Sequence, residues 1–226
     1  TRSAFVTGVQ TCALPISPDR ALSILHGVVA SARLVWRDPV LRFSFLLCAI
    51  LGLYITPEAL AAPYAAGLGA GAGAVGWLMA SDPLGSVIGG YIWSHWVPES
   101  IRDRAMGWVG AMGGLPLVVC LFRPGLAVSL ILFAVTGMAA TACLIQITTV
   151  VPLHVAEEQR AHTSGLLWSV MLTAQGIGSL CAGVLADWIG PFASVAAAGA
   201  VGMVAAVPVA LSLTAAFKRL RTQPST

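Results

Sequence analysis

Six apolar runs, each at least 18 residues long, divide this chain at 41–61, 72–96, 105–122, 126–151, 163–189 and 192–215. About 20 apolar residues in a row carry a helix across the hydrocarbon core of a bilayer. No water is available there to pair exposed backbone N–H and C=O groups, so each crossing segment must satisfy its own as a helix. The pattern therefore predicts an all-α membrane protein with six transmembrane helices. Composition agrees: 58% of the residues are hydrophobic and only 9% charged, where soluble domains carry about a quarter. Mean hydropathy is +0.87.

The basic residues report an orientation. Twelve Lys and Arg are present. Arg20, Arg33, Arg37 and Arg42 precede the first span, Arg102 and Arg104 follow the second, and Arg160 follows the fourth. Lys218, Arg219 and Arg221 follow the sixth, so all ten fall on one side, while Arg123 alone falls on the other. Lys and Arg accumulate in cytoplasmic loops, which places both ends of the six-span domain in the cytoplasm and predicts a multi-pass protein of the cell membrane.

The twelfth, Arg2, belongs to a stretch with a different origin. Residues 6–16, Val-Thr-Gly-Val-Gln-Thr-Cys-Ala-Leu-Pro-Ile, resemble an in-frame translation of a common short-read sequencing adaptor. Gln10, Thr11 and Pro15 break any apolar core that a signal peptide would need. Residues 1–17 are accordingly expected to be an adaptor artefact, with natural sequence missing upstream. Residues 18–40 follow as a cytoplasmic linker. Within it Leu22, Leu25, Val28, Ala32, Val35 and Trp36 recur at helical spacing beside Arg33 and Arg37, as in an amphipathic helix at a membrane interface. Asp38-Pro39 marks the start of the first span, since Pro suits a first helical turn. The six-helix domain is expected over 41–215 and a cytoplasmic tail over 216–226.

Several function classes drop out. A net charge of +3 with scattered basic residues does not suggest nucleic acid. Cys48, Cys120, Cys143 and Cys181 lie inside apolar runs without disulfide or metal-ligand spacing, and suit small apolar packing groups. Gly67 to Ala72 matches a GxGxx[GA] string, yet no strand leads in and a membrane span follows, so close packing or an outer loop is expected. Nucleophile, Walker and zinc-protease signatures are lacking. His95, His154 and His162 sit near span ends, and His26 in the linker, without clustering. No enzyme activity, metal or cofactor is expected.

Asp82 is the most informative charge. It stands near the middle of the second run, directly before Pro83, where a carboxylate costs roughly 2.5–3.5 kcal/mol. Gly85, Ser86, Gly89 and Trp93 follow it at steps of three and four, while Leu84, Val87, Ile88 and Ile92 point elsewhere. A proton- or substrate-binding group facing a wet cavity is the favoured role, and a hydrogen-bonded group beside a Pro kink is the structural alternative. Glu58 shares a helical face with Tyr54 near the outer end of the first run, either at a cavity mouth or, slightly favoured, solvated at the interface. Asp187 suits an interfacial group. Gln175, on a face with Ser164, Trp168, Gly178 and Ser179, and Gln146, near Thr148 and Thr149, each need a partner in the bilayer, and helix–helix contact and substrate contact are equally open.

Residues 39–215 resemble the C-terminal half of a major facilitator superfamily transporter. Pro57-Glu58-Ala59-Leu60-Ala61-Ala62-Pro63-Tyr64 is similar to the outer end of that family's seventh helix. Pro152 through Ala186, with Ser164-Gly165-Leu166, Gln175-Gly176-Ile177-Gly178 and Ala182-Gly183-Val184-Leu185-Ala186-Asp187, looks like its tenth and eleventh. Arg102-Asp103-Arg104 occupies the position of a charged cytoplasmic loop, although Gly90 is followed by Ser94-His95 where a G-x-x-x-D-R motif would have Asp-Arg. The resemblance implies a 3+3 inverted repeat, a cavity lined by the first, second, fourth and fifth spans, and lipid-facing third and sixth spans. It implies a fragment of a secondary active transporter that moves a small solute by alternating access, as proton-coupled efflux in one form. Its partners would be the lipid bilayer, the missing N-terminal six-helix half and a small-molecule substrate. Asp82, Ser86, Gln146, Gln175, Tyr54 and Glu58 are the translocation candidates. The alternative is a non-transporting membrane scaffold or sensor.

Overall fold

The structure is a computed structural model that describes the backbone of residues 18–222 and the side chains of residues 27–218. The adaptor-like stretch and the side chains of Leu22, Leu25 and His26 lie outside the described residues.

Asp38-Pro39 does what its chemistry predicts. Helix α1 (Pro18–Arg37) stops, and Asp38 caps α2 (Pro39–Leu53), its Oδ1 accepting from the backbone N–H groups of Val40 at 2.7 Å and Leu41 at 3.3 Å. The first span then breaks at Tyr54 and Ile55 and continues through the short α3 (Thr56–Ala59) and α4 (Ala61–Gly67). Leu68 to Gly71 form a turn with Gly69 at a φ of 68°, so the glycine-rich string is an interhelical loop. Next come α5 (Ala72–Trp96), α6 (Glu99–Met112), α7 (Leu115–Val119) and a 3-10 turn (Cys120–Phe122). The long helices α8 (Leu126–Leu153), α9 (Glu157–Ile189) and α10 (Pro191–Thr222) complete the chain.

Among the described residues, five segments are long and apolar enough to cross a membrane: Pro39–Ala59, Glu99–Phe122, Leu126–Leu153, Glu157–Ile189 and Pro191–Lys218. The second expected span, 72–96, is the one not among them: it is a single helix with the expected bounds, but Ser81, Asp82, Pro83, Ser86 and five glycines dilute its apolar character. Two segments begin six residues before the expected start, at Glu99 and Glu157. An apolarity criterion misses these turns because they are charged, yet Glu99, Glu157 and Glu158 favour a helix N-terminus electrostatically. At 33 residues α9 is about 50 Å long and overhangs a hydrocarbon core of about 30 Å.

Two further features concern the ends of the domain. Residues 216–222, expected as a tail, continue α10, with Ala216 and Phe217 buried. In α1, Val35 is buried as expected, but Trp36 is 68% exposed. The buried face runs through Ser31 and Val35 instead. The Thr163 hydroxyl of α9 donates to Ser31 Oγ at 3.3 Å, and α1 docks on α9 and α2.

The principal helix pairings are α5 with α8, α2 with α9, and α6 with α10, with α10 also against α2 and α8 against α6. Small residues make the closest of them. A Cβ on Gly85 would collide with the backbone of Ala134, and one on Gly89 would come within 2.5 Å of Met138. On the other side of the molecule a Cβ on Gly52 would sit 2.8 Å from the Met171 carbonyl oxygen. Helices in lipid associate through such packing, since burying apolar side chains there supplies little drive.

Candidate functional site

The stripe predicted along the second run is present. Gly85, Gly89 and Trp93 are buried, while Leu84, Val87, Ile88 and Ile92 are exposed. Its main task is packing: the glycines bring α5 onto α8. Asp82 and Ser86 stand at the edge of this contact and open into a cavity of about 170 Å³. Its walls come from Leu51 of α2, Tyr54 and Ile55 at the helix break, Ala140, Thr141 and Leu144 of α8, and Met171 of α9. These are the first, second, fourth and fifth runs of the sequence.

Each polar group in the cavity has a definite setting. Asp82 is half-buried, and its carboxyl lies against Gly137, where a Cβ would come within 2.9 Å of Oδ2. The Ser86 hydroxyl, one turn further on, donates to the Gly137 carbonyl at 3.3 Å. Pro83 lies inside the helix and supplies no N–H, so one carbonyl of the preceding turn is without its helical donor. Tyr54 is almost fully buried and its hydroxyl donates to the Gly110 carbonyl at 3.0 Å, tying the end of α2 to α6. It therefore offers the cavity its ring rather than its hydroxyl. Glu58 is half-buried in α3 and is not among the residues that wall the cavity.

The glutamines separate. Gln146 is buried away from the cavity, with both ends of its amide bonded: Nε2 donates to Asp103 Oδ1 of α6 at 2.8 Å, and Oε1 accepts from Trp93 Nε1 of α5 at 3.4 Å. It joins three helices. Gln175 is half-buried on α9, one turn beyond the cavity wall at Met171. Of the residues expected on its face, Gly178 packs against Leu53 of α2, whereas Trp168 is exposed. Asp187 is exposed. Among the described residues, no three His, Cys, Asp or Glu side chains approach as a metal site requires.

Sequence reasoning missed Gly137, Thr141 and Met171. A signal existed for the first two. Gly137, Thr141 and Leu144 fall at steps of four and three, so the one hydroxyl and the one missing side chain share a face. Met171 carries no such mark in an apolar run.

Long apolar helices packed through glycines around a small cavity that holds a carboxylate and two hydroxyls define a polytopic helical membrane protein. The chain matches the Major Facilitator Superfamily model over residues 28–225. It belongs to that family of membrane transporters. It is 25% identical over 178 residues to the multidrug efflux pump Tap of Mycolicibacterium fortuitum, a match covering 77% of this chain and 44% of that protein. The chain thus spans less than half the length of this curated relative. No solved structure matches it.

Proposed function

We propose that this chain forms one six-helix half of a secondary transporter that exports a small solute across the cell membrane by alternating access. Asp82 is the residue on which substrate or proton binding turns. The observation that carries this is the cavity itself: a carboxylate, a serine hydroxyl and an aromatic ring meet between α2, α5, α8 and α9. An ionisable group inside a membrane helix is costly to place there, and such groups as a rule serve binding or translocation. Export as the direction rests on the similarity to an efflux pump.

The helix pairings support a 3+3 repeat. Exchanging α2, α5 and α6 for α8, α9 and α10 turns the α5–α8 contact into the α9–α2 contact, and returns α6–α10 to itself. Both cross-repeat contacts are made through glycine. The outer faces of α5 and α9 expose Trp77, Leu84, Val87, Tyr91, Trp168, Leu172 and Leu180. A second six-helix half, with lipid around it, is the partner that such apolar faces fit. The weight of Lys and Arg residues before and at the start of α2, in the first turns of α6 and α9, and in the last turns of α10 supports a cytoplasmic position for both ends of the domain.

The test is Asp82→Asn in the full-length protein, in cells and in proteoliposomes. The side chain keeps its size and loses its charge, so transport is expected to fall at least tenfold, or to lose its dependence on a proton gradient, with membrane abundance unchanged. Wild-type transport with an unaltered proton dependence would remove Asp82 from the mechanism.

A further inference from the structure

We propose that a second, larger cavity, at the junction of α1 and α2, holds an anionic phospholipid of the cytoplasmic leaflet. It has a volume of about 660 Å³ and is walled by the end of α1, the start of α2, the end of α8 and the last turns of α10. Arg37, Arg42 and His154 supply positive or protonatable groups, and Leu34, Val40, Phe43, Ala215 and Ala216 supply apolar surface. A phosphodiester with acyl chains attached matches that combination. Basic pockets between membrane helices on the cytoplasmic side suit anionic headgroups.

The charges are disposed for an outside ligand. The one carboxylate on the wall, Asp38, is committed to Val40 and Leu41 as the cap of α2. The Arg42 guanidinium rests 4.8 Å above the Phe43 ring, and among the described residues neither Arg42 nor Arg37 pairs with a carboxylate. His154 lies 3.0 Å through Nδ1 from the Val150 carbonyl, so Nδ1–H donates there and the ring is fixed at the end of α8. Beside the cavity Trp36 is exposed at the end of α1, at the level where aromatic residues gather at a bilayer surface. None of these groups reaches the Asp82 cavity, whose walls share no residue with this one. The leaflet named rests on the orientation proposed above.

The experiment measures lipid retention by native mass spectrometry on the full-length protein in detergent, titrated with phosphatidylglycerol, phosphatidylcholine or glycerol phosphate. Saturable binding of phosphatidylglycerol at least fivefold tighter than phosphatidylcholine is expected. Arg37→Gln with Arg42→Gln should weaken it roughly tenfold, since each basic residue near an anionic lipid contributes several-fold. Should that variant misfold, Ala215→Trp, at an exposed wall position, should block the acyl chains and lower retention while both arginines remain. Equal retention of the two lipids, retention unchanged in the variants, or glycerol phosphate binding as tightly as the lipid would each overturn the proposal. Binding in detergent does not depend on sidedness. Loss of the lipid site and a reversed orientation are therefore separable outcomes.

Discussion

Gln146 shows how a residue of one type in one environment can be placed by its partners. An amide inside a bilayer has to find them, and from the sequence a substrate and a neighbouring helix were equally good. Trp93 on one side and Asp103 on the other now occupy both ends of the group. Gln146→Leu removes a donor from a half-buried carboxylate and an acceptor from a buried indole. The expected loss is roughly 1–3 kcal/mol of stability, read as a lower unfolding midpoint of the purified protein. The apparent KM for transport, measured on the folded fraction, should stay within twofold of wild type. A raised KM with unchanged stability would return Gln146 to the substrate. Asp82 was legible at this scale because a lone charge in an apolar run stands out. The Gln146 network was not, because Trp93 and Asp103 lie 53 and 43 residues away.

The α5–α8 crossing depends on what α5 lacks. Gly85 and Gly89 admit the backbone of α8 where any Cβ would collide, and the same approach brings Asp82 against Gly137. Gly85→Val should therefore separate the helices and cost at least about 1–3 kcal/mol, seen as loss of monodisperse protein in detergent. Gly73→Ala, in the same helix where a Cβ meets nothing within 4 Å, should be neutral or slightly stabilising, as Ala propagates a helix better than Gly by up to about 1 kcal/mol. Equal tolerance at both positions would mean that the helices do not cross as described. The helix bodies were legible from apolar run length. Their ends were less so, because Arg side chains work there in a way that composition hides. Arg102 Nε and Nη2 donate to the Val97 and Ser94 carbonyls at the end of α5, and Arg160 Nε donates toward Pro152 and Val155 at the end of α8. Each arginine reaches back five and eight residues, from Val-Pro-Glu-Ser-Ile-Arg in one loop and Val-Ala-Glu-Glu-Gln-Arg in the other. Read only for charge, these loops predict an orientation. Read for hydrogen bonding, they also close the helices that carry the cavity.

For the whole molecule, the helix that contributes the carboxylate is also the one least suited to lipid. A span with a polar face can be held in a bilayer only if that face is turned inward, and α5 does this by pressing its glycines onto α8 and leaving Leu84, Val87 and Ile88 outside. Its placement across the membrane fixes the orientation of everything after it, and that can be measured. If α5 crosses, residue 125, before α8, and residue 157, at the start of α9, lie on opposite sides and residue 157 is cytoplasmic, as the distribution of Arg predicts. Were α5 to lie in one interface instead, α2 and α6 would be joined without a crossing, and every later loop would exchange sides. Gly125→Cys and Glu157→Cys are suitable reporters, since both positions are exposed. Cys181, which is exposed as well, is first replaced by Ser. A thiol reagent that cannot cross the membrane should label residue 125 in intact cells and residue 157 only after permeabilisation. The reverse pattern would leave α5 out of the membrane, and would move the Asp82 cavity from the bilayer to its surface.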